Sequence, residues 1–284
     1  MKRVRIFVIT AIFLGLLGVI CVLAVRGGMP LLFPSGSIAL AERNLGAVAV
    51  FLMLIVVVPV YALIIFISTR YRAENVGAKY TPDWEHSRLE EFVWWIIPFE
   101  IVLVLGALTW GGTHTLAPEA SLASTQKPLT VQVVALPWKW LFLYPEQGVA
   151  SVNELDIPAG RPVEFQITAD APMNSFWIPA LGGQMYAMSG MVTNLHLEAD
   201  APGTYEGQSA NYSGEGFAQM NFPVHVMDGD GFDEWAKTAA SSSDSLTPDT
   251  YMMLAKPSSN EPIRYYGTMT LDFMDIVDMS MAPH

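Results

Sequence analysis

Twenty-four consecutive residues, Leu45–Ser68, carry no charge, and no other feature narrows the fold as much. A helix needs roughly 20 apolar residues to cross the hydrocarbon core of a bilayer, and it closes its own backbone hydrogen bonds there. Two further runs meet that length. Ile6–Val25 is uncharged and follows Lys2, Arg3 and Arg5, and Phe92–Leu116 carries a single charge, Glu100. The chain is therefore expected to be a membrane protein with a polar remainder. Pro59 inside the second run is costly in a soluble helix but is tolerated in a span whose packed neighbours satisfy the freed carbonyl.

Orientation follows from the basic residues. Lys2, Arg3 and Arg5 precede the first run, and Arg70, Arg72, Lys79 and Arg88 fill the short loop between the second and third. Both groups belong on the cytoplasmic side. Everything from Ala117 to His284 is then extracytoplasmic. That part holds six Lys/Arg against twenty Asp/Glu, a net of −14, which disfavours nucleic acid and anionic lipid surfaces as partners for it. A single cysteine, Cys21, excludes a disulfide framework. Two readings of residues 1–26 stand side by side. One is a secretory signal ending at a lipidated Cys21; the other is an uncleaved anchor with a buried thiol. Ile20, directly before the cysteine, departs from the small residue a lipoprotein signal uses.

The third run opens with Glu90, Glu91, Trp94 and Trp95. Acidic residues there complement the helix dipole, and tryptophan suits the interface. Glu100 lies nine residues beyond Glu91, on the order of 13 Å deeper, and nine steps of about 100° put the two on opposite faces. A carboxylate at that depth must be neutral, paired, or turned to protein or water. Glu100 is read as protonated and packed against a partner subunit, with a functional role as the alternative.

After residue 127 the pattern changes to period two. Val131, Val133 and Ala135 share one face of Leu129–Leu136, and Val163, Phe165 and Ile167 share one face of a second segment. Pro-Gly punctuation at Pro158–Gly160 and Pro202–Gly203 separates short strands, the pattern of an all-β sandwich. Leu136–Glu146 reads as one aromatic strand with Trp138 and Trp140 on the same side, either core or a docking surface. A short helix is expected at Phe232–Thr238, a flexible break at Ser241–Ser245, and an amphipathic segment at Tyr251–Met281. Met252, Met253, Met269, Met274, Met279 and Met281 are gap-fillers on one reading and a thioether copper site on the other. His86, His114, His196, His225 and His284 are scattered, and no nucleophile–base set or phosphate loop accompanies them.

The stretch Asp170–Met227 has the loop plan of a copper-binding sandwich, His…Cys-x-Glu-x-Cys-x-x-x-His-x-x-Met. With two spans and the aromatic strand, it resembles subunit II of the haem–copper oxidases over nearly the whole chain after Pro34. The resemblance implies a membrane-anchored all-β protein, with two transmembrane helices (plus the N-terminal signal or third helix), a cupredoxin-like sandwich and a short helical tail. Its parts would be residues 1–26, the hairpin 27–116, the external domain 117–230 and the extension 231–284. Mapped on that plan, the first histidine falls on Asn174, the cysteines on Ser209 and Ser213, and the carbonyl-donating glutamate on Asn211. The second histidine falls on Phe217 and the methionine on Met220. A hydroxyl or a phenyl ring cannot hold a soft transition metal, so no metal is expected in this chain.

The strings MNSFWIP, WKWLFLYPEQG, GTYEGQSANYSG and MYAMSGM look like the quinol-oxidase branch, with bo-type or related ba-type ubiquinol oxidases as its members. That implies a required subunit without its own redox centre or catalytic residues, in a proton-pumping terminal oxidase. Ubiquinol would be the electron donor, with haems and copper in subunit I. Subunits I, III and IV and membrane lipid are the implied partners, with no cytochrome c. The bacterial inner membrane, with the C-terminal domain in the periplasm, is the implied location. Glu91 matches the family's glutamate at the cytoplasmic mouth of a proton channel; Glu100 has no counterpart in the family's pattern. Two other classes compete with this reading. One is an electron-carrying cytochrome c oxidase subunit II; the other is a membrane-anchored cupredoxin-like binding or assembly protein that uses the tail methionines.

Overall fold

The computed structural model describes residues 29–281 apart from 73, 80, 84, 123 and 125, together with 15, 16, 18, 19, 22 and 23. Most of the first apolar run, including Cys21, lies outside the described residues. Contacts divide the chain into two units, one of residues 1–41 and 118–284 and the other of residues 42–117.

The second unit is helical. α1 (Ser37–Arg70) begins just outside it and runs through Pro59 without a break. α2 (Arg88–Thr115) follows, and both are long and apolar enough to cross a membrane. The Ser87 side chain accepts from the Glu90 backbone N–H at the start of α2, so the first turn carries its own cap. Glu100 is exposed within the chain.

The first unit is a two-sheet sandwich built from β1 (Leu129–Leu136), β2 (Lys139–Tyr144), β3 (Val149–Val152), β4 (Leu155–Pro158), β5 (Val163–Ala169), β6 (Asn174–Trp177), β7 (Gln184–Ala187), β8 (Thr193–Leu197), β9 (Gly203–Ser209) and β10 (Asn221–Met227). The tail adds α3 (Gly229–Ala240), β11 (Ser245–Leu246), α4 (Pro248–Leu254), β12 (Arg264–Tyr266), β13 (Thr268–Met269) and α5 (Phe273–Met279). One sheet has the order β12-β3-β2-β1-β5-β8 and the other β4-β10-β9-β6-β7. The expected inward residues Val131, Val133, Ala135, Val163, Phe165 and Ile167 all lie in the core between the sheets. Aromatic rings fill its centre. Phe176 and Phe222 stack at 5.6 Å, and Trp140 meets each of them edge-on. Such pairs contribute about 0.5–1.5 kcal/mol each beyond the area they bury.

Two sequence expectations change. Leu136–Glu146 is a hairpin turn followed by a strand, because Trp138 has φ +64° and sits with Pro137 between the paired residues Leu136 and Lys139. Trp138 and Trp140 therefore do not share a strand face. The tail is also more than a helical appendage. β12 joins the six-stranded sheet alongside β3, and Ser245–Leu246 pairs with β13 where a flexible break was expected. The cause is the outer face of the sheet. Val134, Leu136, Leu141, Leu143, Ala150 and Val152 are apolar there, and they form a second core with Leu246, Tyr251, Phe273, Ile276 and Val277 of the tail. A sheet buried on both faces reads as continuous apolar runs.

Residues 35–39 are also bound into this unit. The Ser35 N–H donates to Ala180 O at 2.8 Å, the Asp200 N–H donates to Ser35 O at 2.9 Å, and the Ala39 N–H donates to Leu181 O at 3.2 Å. A Cβ on Gly36 would stand 2.6 Å from Glu198 O and 2.7 Å from Leu181 O. Only glycine permits that approach.

Candidate functional site: the closed loop at residues 209–220

Five of the six positions at which the resemblance maps copper ligands are tied to the sandwich or to one another by polar contacts. Asn174 opens β6 and is fully buried. The Ser209 hydroxyl, at the end of β9, donates to Asn174 Oδ1 at 3.0 Å and lies 3.3 Å from Asn211 O. Asn174 Nδ2 donates to Pro172 O at 2.8 Å, and Asn211 Nδ2 to Met173 O at 2.9 Å. The Ser213 hydroxyl points at Met220 Sδ, 3.6 Å away. Phe217 stands apart from this network, and its ring meets Tyr212 edge-on at 5.6 Å.

Two tryptophans hold the loop from below. Trp138 Nε1 donates to Ser213 O at 3.1 Å, and Trp140 Nε1 donates to Met220 O at 3.2 Å. They reach the same loop from different places, Trp138 from a turn and Trp140 from the core. Gly214 and Gly216 make room for the first. A Cβ on Gly216 would be 2.5 Å from the Trp138 ring.

This donor set does not fit copper. It offers two hydroxyls, two amides, a phenyl ring and one thioether, and the hydroxyls already serve Asn174, the Asn211 carbonyl and Met220. Copper sites of this kind need thiolate and imidazole. Among the described residues no three His, Cys, Asp or Glu side chains are grouped to hold a metal ion. The tail methionines Met252, Met253, Met274 and Met281 are exposed at 54–61%.

Glu91, the other candidate, is in the first turn of α2 and is half-buried within the chain. Its backbone N–H donates to Ser87 O at 2.9 Å. Thus the structure groups Asn174, Ser209, Asn211, Ser213 and Met220, and leaves Glu91 in a different unit.

Sequence reasoning passed over two buried polar features. Lys139, between the two tryptophans, is 1% exposed, and its ammonium donates to Leu254 O, Lys256 O and Ser258 Oγ at 2.8, 2.9 and 2.5 Å. It meets the last carbonyl of α4, at Leu254, and the Lys256 carbonyl just beyond it, at a helix end where a cation is favoured. Burial lowers its pKa, and the Glu261 charge opposes that shift. The second feature joins Glu154, Asp156, His225 and Tyr265. Nothing in the spacing announces either one; a lysine inside an apolar strand run is the only visible signal.

Residues 147–227 match the family model for the periplasmic domain of cytochrome c oxidase subunit II, and residues 240–284 match the COX aromatic-rich motif. The cytochrome bo(3) ubiquinol oxidase subunit 2 of Pseudomonas putida is 48% identical over 249 residues, 87% of this chain and 79% of that one. The corresponding protein of Pseudomonas aeruginosa is 47% identical over 85% of this chain and 73% of its own. That of Buchnera aphidicola subsp. Schizaphis graminum is 39% identical over 95% of this chain and 94% of its own. Two apolar helices, the sandwich and these relatives agree: the chain belongs to the family of ubiquinol oxidase subunit 2, within the subunit II proteins of the haem–copper oxidases.

Proposed function

We propose that this chain is the non-redox subunit II of a proton-pumping ubiquinol oxidase in a bacterial inner membrane, with its sandwich in the periplasm. The observation that carries the reading is the loop at residues 209–220, where hydrogen bonds of Asn174, Ser209 and Asn211 stand where the family plan has metal bonds. A donor dissolved in water needs an acceptor outside the membrane. A quinol dissolved in the bilayer reaches a haem in subunit I directly, so the external domain needs shape and no redox group. Its role is then to cap subunit I, with subunits III and IV as further partners. In this reading residues 27–116 anchor the chain, residues 117–230 form the cap and residues 231–284 brace it. Cys21 remains a candidate lipid anchor, tested by the intact mass of the mature chain.

Glu91 takes part in proton uptake. A carboxylate at the cytoplasmic start of α2 gathers protons and focuses positive charge, which suits the mouth of a channel leading into subunit I. Its place in the first turn of the helix supports this reading.

The test is turnover of the purified complex with two donors. Oxidation of ubiquinol without oxidation of reduced cytochrome c supports the assignment. The isolated chain should bind copper no more tightly than a surface control. A stoichiometric visible band from a dinuclear copper centre would overturn the proposal.

A further inference from the structure

The cluster of Glu154, Asp156, His225 and Tyr265 lies along β4 and β10, and the Tyr265 side chain of β12 reaches it from the other sheet. β4 and β10 run parallel with Asp156 opposite His225, and β9 and β10 place Thr204 opposite His225 on the other side. The three residues form one row across the strands. Thr204 Oγ1 lies 3.3 Å from His225 Nδ1, and His225 Nε2 lies 3.1 Å from Glu154 Oε1. The second oxygen of Glu154 accepts from Tyr265 Oη of β12 at 2.7 Å. Glu154 therefore holds a histidine of the sandwich with one oxygen and a tyrosine of the tail with the other.

Asp156 differs from its neighbours. It is 1% exposed, and its Oδ2 is buried without a hydrogen-bond partner. Its backbone N–H donates to Tyr144 Oη at 2.9 Å, so that hydroxyl faces the peptide of Asp156. An ionised carboxylate with a bare buried oxygen is costly, and a protonated one far less so. Among the described residues, the charge that bears on it is a second carboxylate, Glu154. The groups facing it are the Glu154 carboxylate and the phenols of Tyr144 and Tyr265, while His225 is engaged by Glu154. From α3 the indole of Trp235 packs on Tyr144 at 4.9 Å and adds no charge.

We propose that Asp156 keeps a buried proton beside Glu154, and that this proton acts as a pH-sensitive latch fastening the C-terminal tail, through Tyr265, to the sandwich. With the proton in place, one negative charge sits in the cluster and Glu154 keeps both of its partners. Without it, two carboxylates face each other under the tail, and releasing β12 lets water reach them.

The sign follows from linkage. Burial, with the Glu154 charge second, raises Asp156 from 3.8 to about 8 in the folded chain. Detachment returns it toward the ordinary carboxylate range. The closed form thus binds the extra proton throughout that window, and closure weakens as pH rises through it, levelling off above about 8. The two tyrosines are shifted upward by burial and stay neutral across the window.

The experiment is limited proteolysis of the segment 255–263 in the full detergent-solubilised chain at pH 5 to 9, normalised to an unfolded control substrate. The wild-type cleavage rate should rise about tenfold between pH 6 and pH 8, a discounted share of the tenfold per pH unit that one proton permits. Asp156→Asn, neutral at every pH, should vary less than about twofold over the same range. Glu154→Gln, which removes the neighbouring charge and keeps Asp156, should move the rise to lower pH. If Asp156→Asn does not fold, the Glu154→Gln shift and a protonated-carboxyl infrared band titrating near pH 8 in the wild type decide the matter. A flat wild-type profile, or matching profiles for wild type and Glu154→Gln, overturns the proposal.

Discussion

The Ser209 hydroxyl donates to Asn174 Oδ1 at 3.0 Å, and both side chains are buried. That bond joins the end of β9 to the start of β6, two positions 35 residues apart in the chain. Removing the hydroxyl leaves the amide oxygen without this donor, at a cost of about 1–3 kcal/mol. Ser209→Ala is expected to lower the stability of the external domain by that amount in denaturant titration. A double change with Asn174→Ala should fall short of the sum of the single changes, because the two residues share one interaction. Full additivity would show that the bond contributes nothing.

Lys139 is a brace for the tail. Lys139→Ala leaves the carbonyls of Leu254 and Lys256 and the Ser258 hydroxyl without their donor. The Leu254 bond is buried and the other two are part-buried, and a buried group left unsatisfied costs about 1–3 kcal/mol, so destabilisation of at least about 1 kcal/mol is expected. Hydrogen exchange should report it first in α4 and residues 255–258. Uniform loosening across the sandwich would instead mean that Lys139 supports the core as a whole.

Gly36 tests the backbone approach at the start of α1. The atoms that an added Cβ would meet are main-chain oxygens of Glu198 and Leu181, which cannot swing aside. Gly36→Ala should cost about 1–3 kcal/mol through forced displacement. The neighbouring Ser37→Ala serves as control and should melt within about 0.5 kcal/mol of wild type. Thermal melts of the full chain make the comparison.

For Glu91, replacement by Gln keeps the shape and removes the charge. If it feeds a proton channel, turnover of the assembled complex should fall by about tenfold, within the range ascribed to electrostatic focusing. The melting temperature should stay unchanged, since the Ser87 cap of α2 remains. Turnover equal to wild type would leave the glutamate as a partner of the helix dipole alone.

Much of the architecture was visible in the residues. Leu45–Ser68 lies within α1, and Phe92–Leu116 matches α2 to within a few residues, because uncharged runs of that length have few alternatives. The inward faces of β1 and β5 followed from their alternation. Trp138 was misplaced because counting by twos assumes an unbroken strand, and Pro137 with a positive φ at Trp138 breaks it. The tail was underestimated for a related reason. Val133–Leu136 and Leu141–Leu143 are unbroken apolar runs, which mark a second covered face. The loop positions were legible through their spacing, but their hydrogen bonds were not. Asp156 and Glu154, 69 and 71 residues from His225 in sequence, gave no sign of meeting it, since cross-strand register is a property of the fold.

β12 has one more consequence. Through Arg264, Tyr265 and Tyr266 it occupies the flank of β3, an apolar Val-Ala-Ser-Val strand. A bare strand of that composition offers free amides and carbonyls as a template to any extended chain. A protein cut short before residue 264 would expose that template outside the membrane. Its expected failure is strand addition and aggregation between copies, so loss of the tail would deplete assembled oxidase through insolubility rather than through altered chemistry.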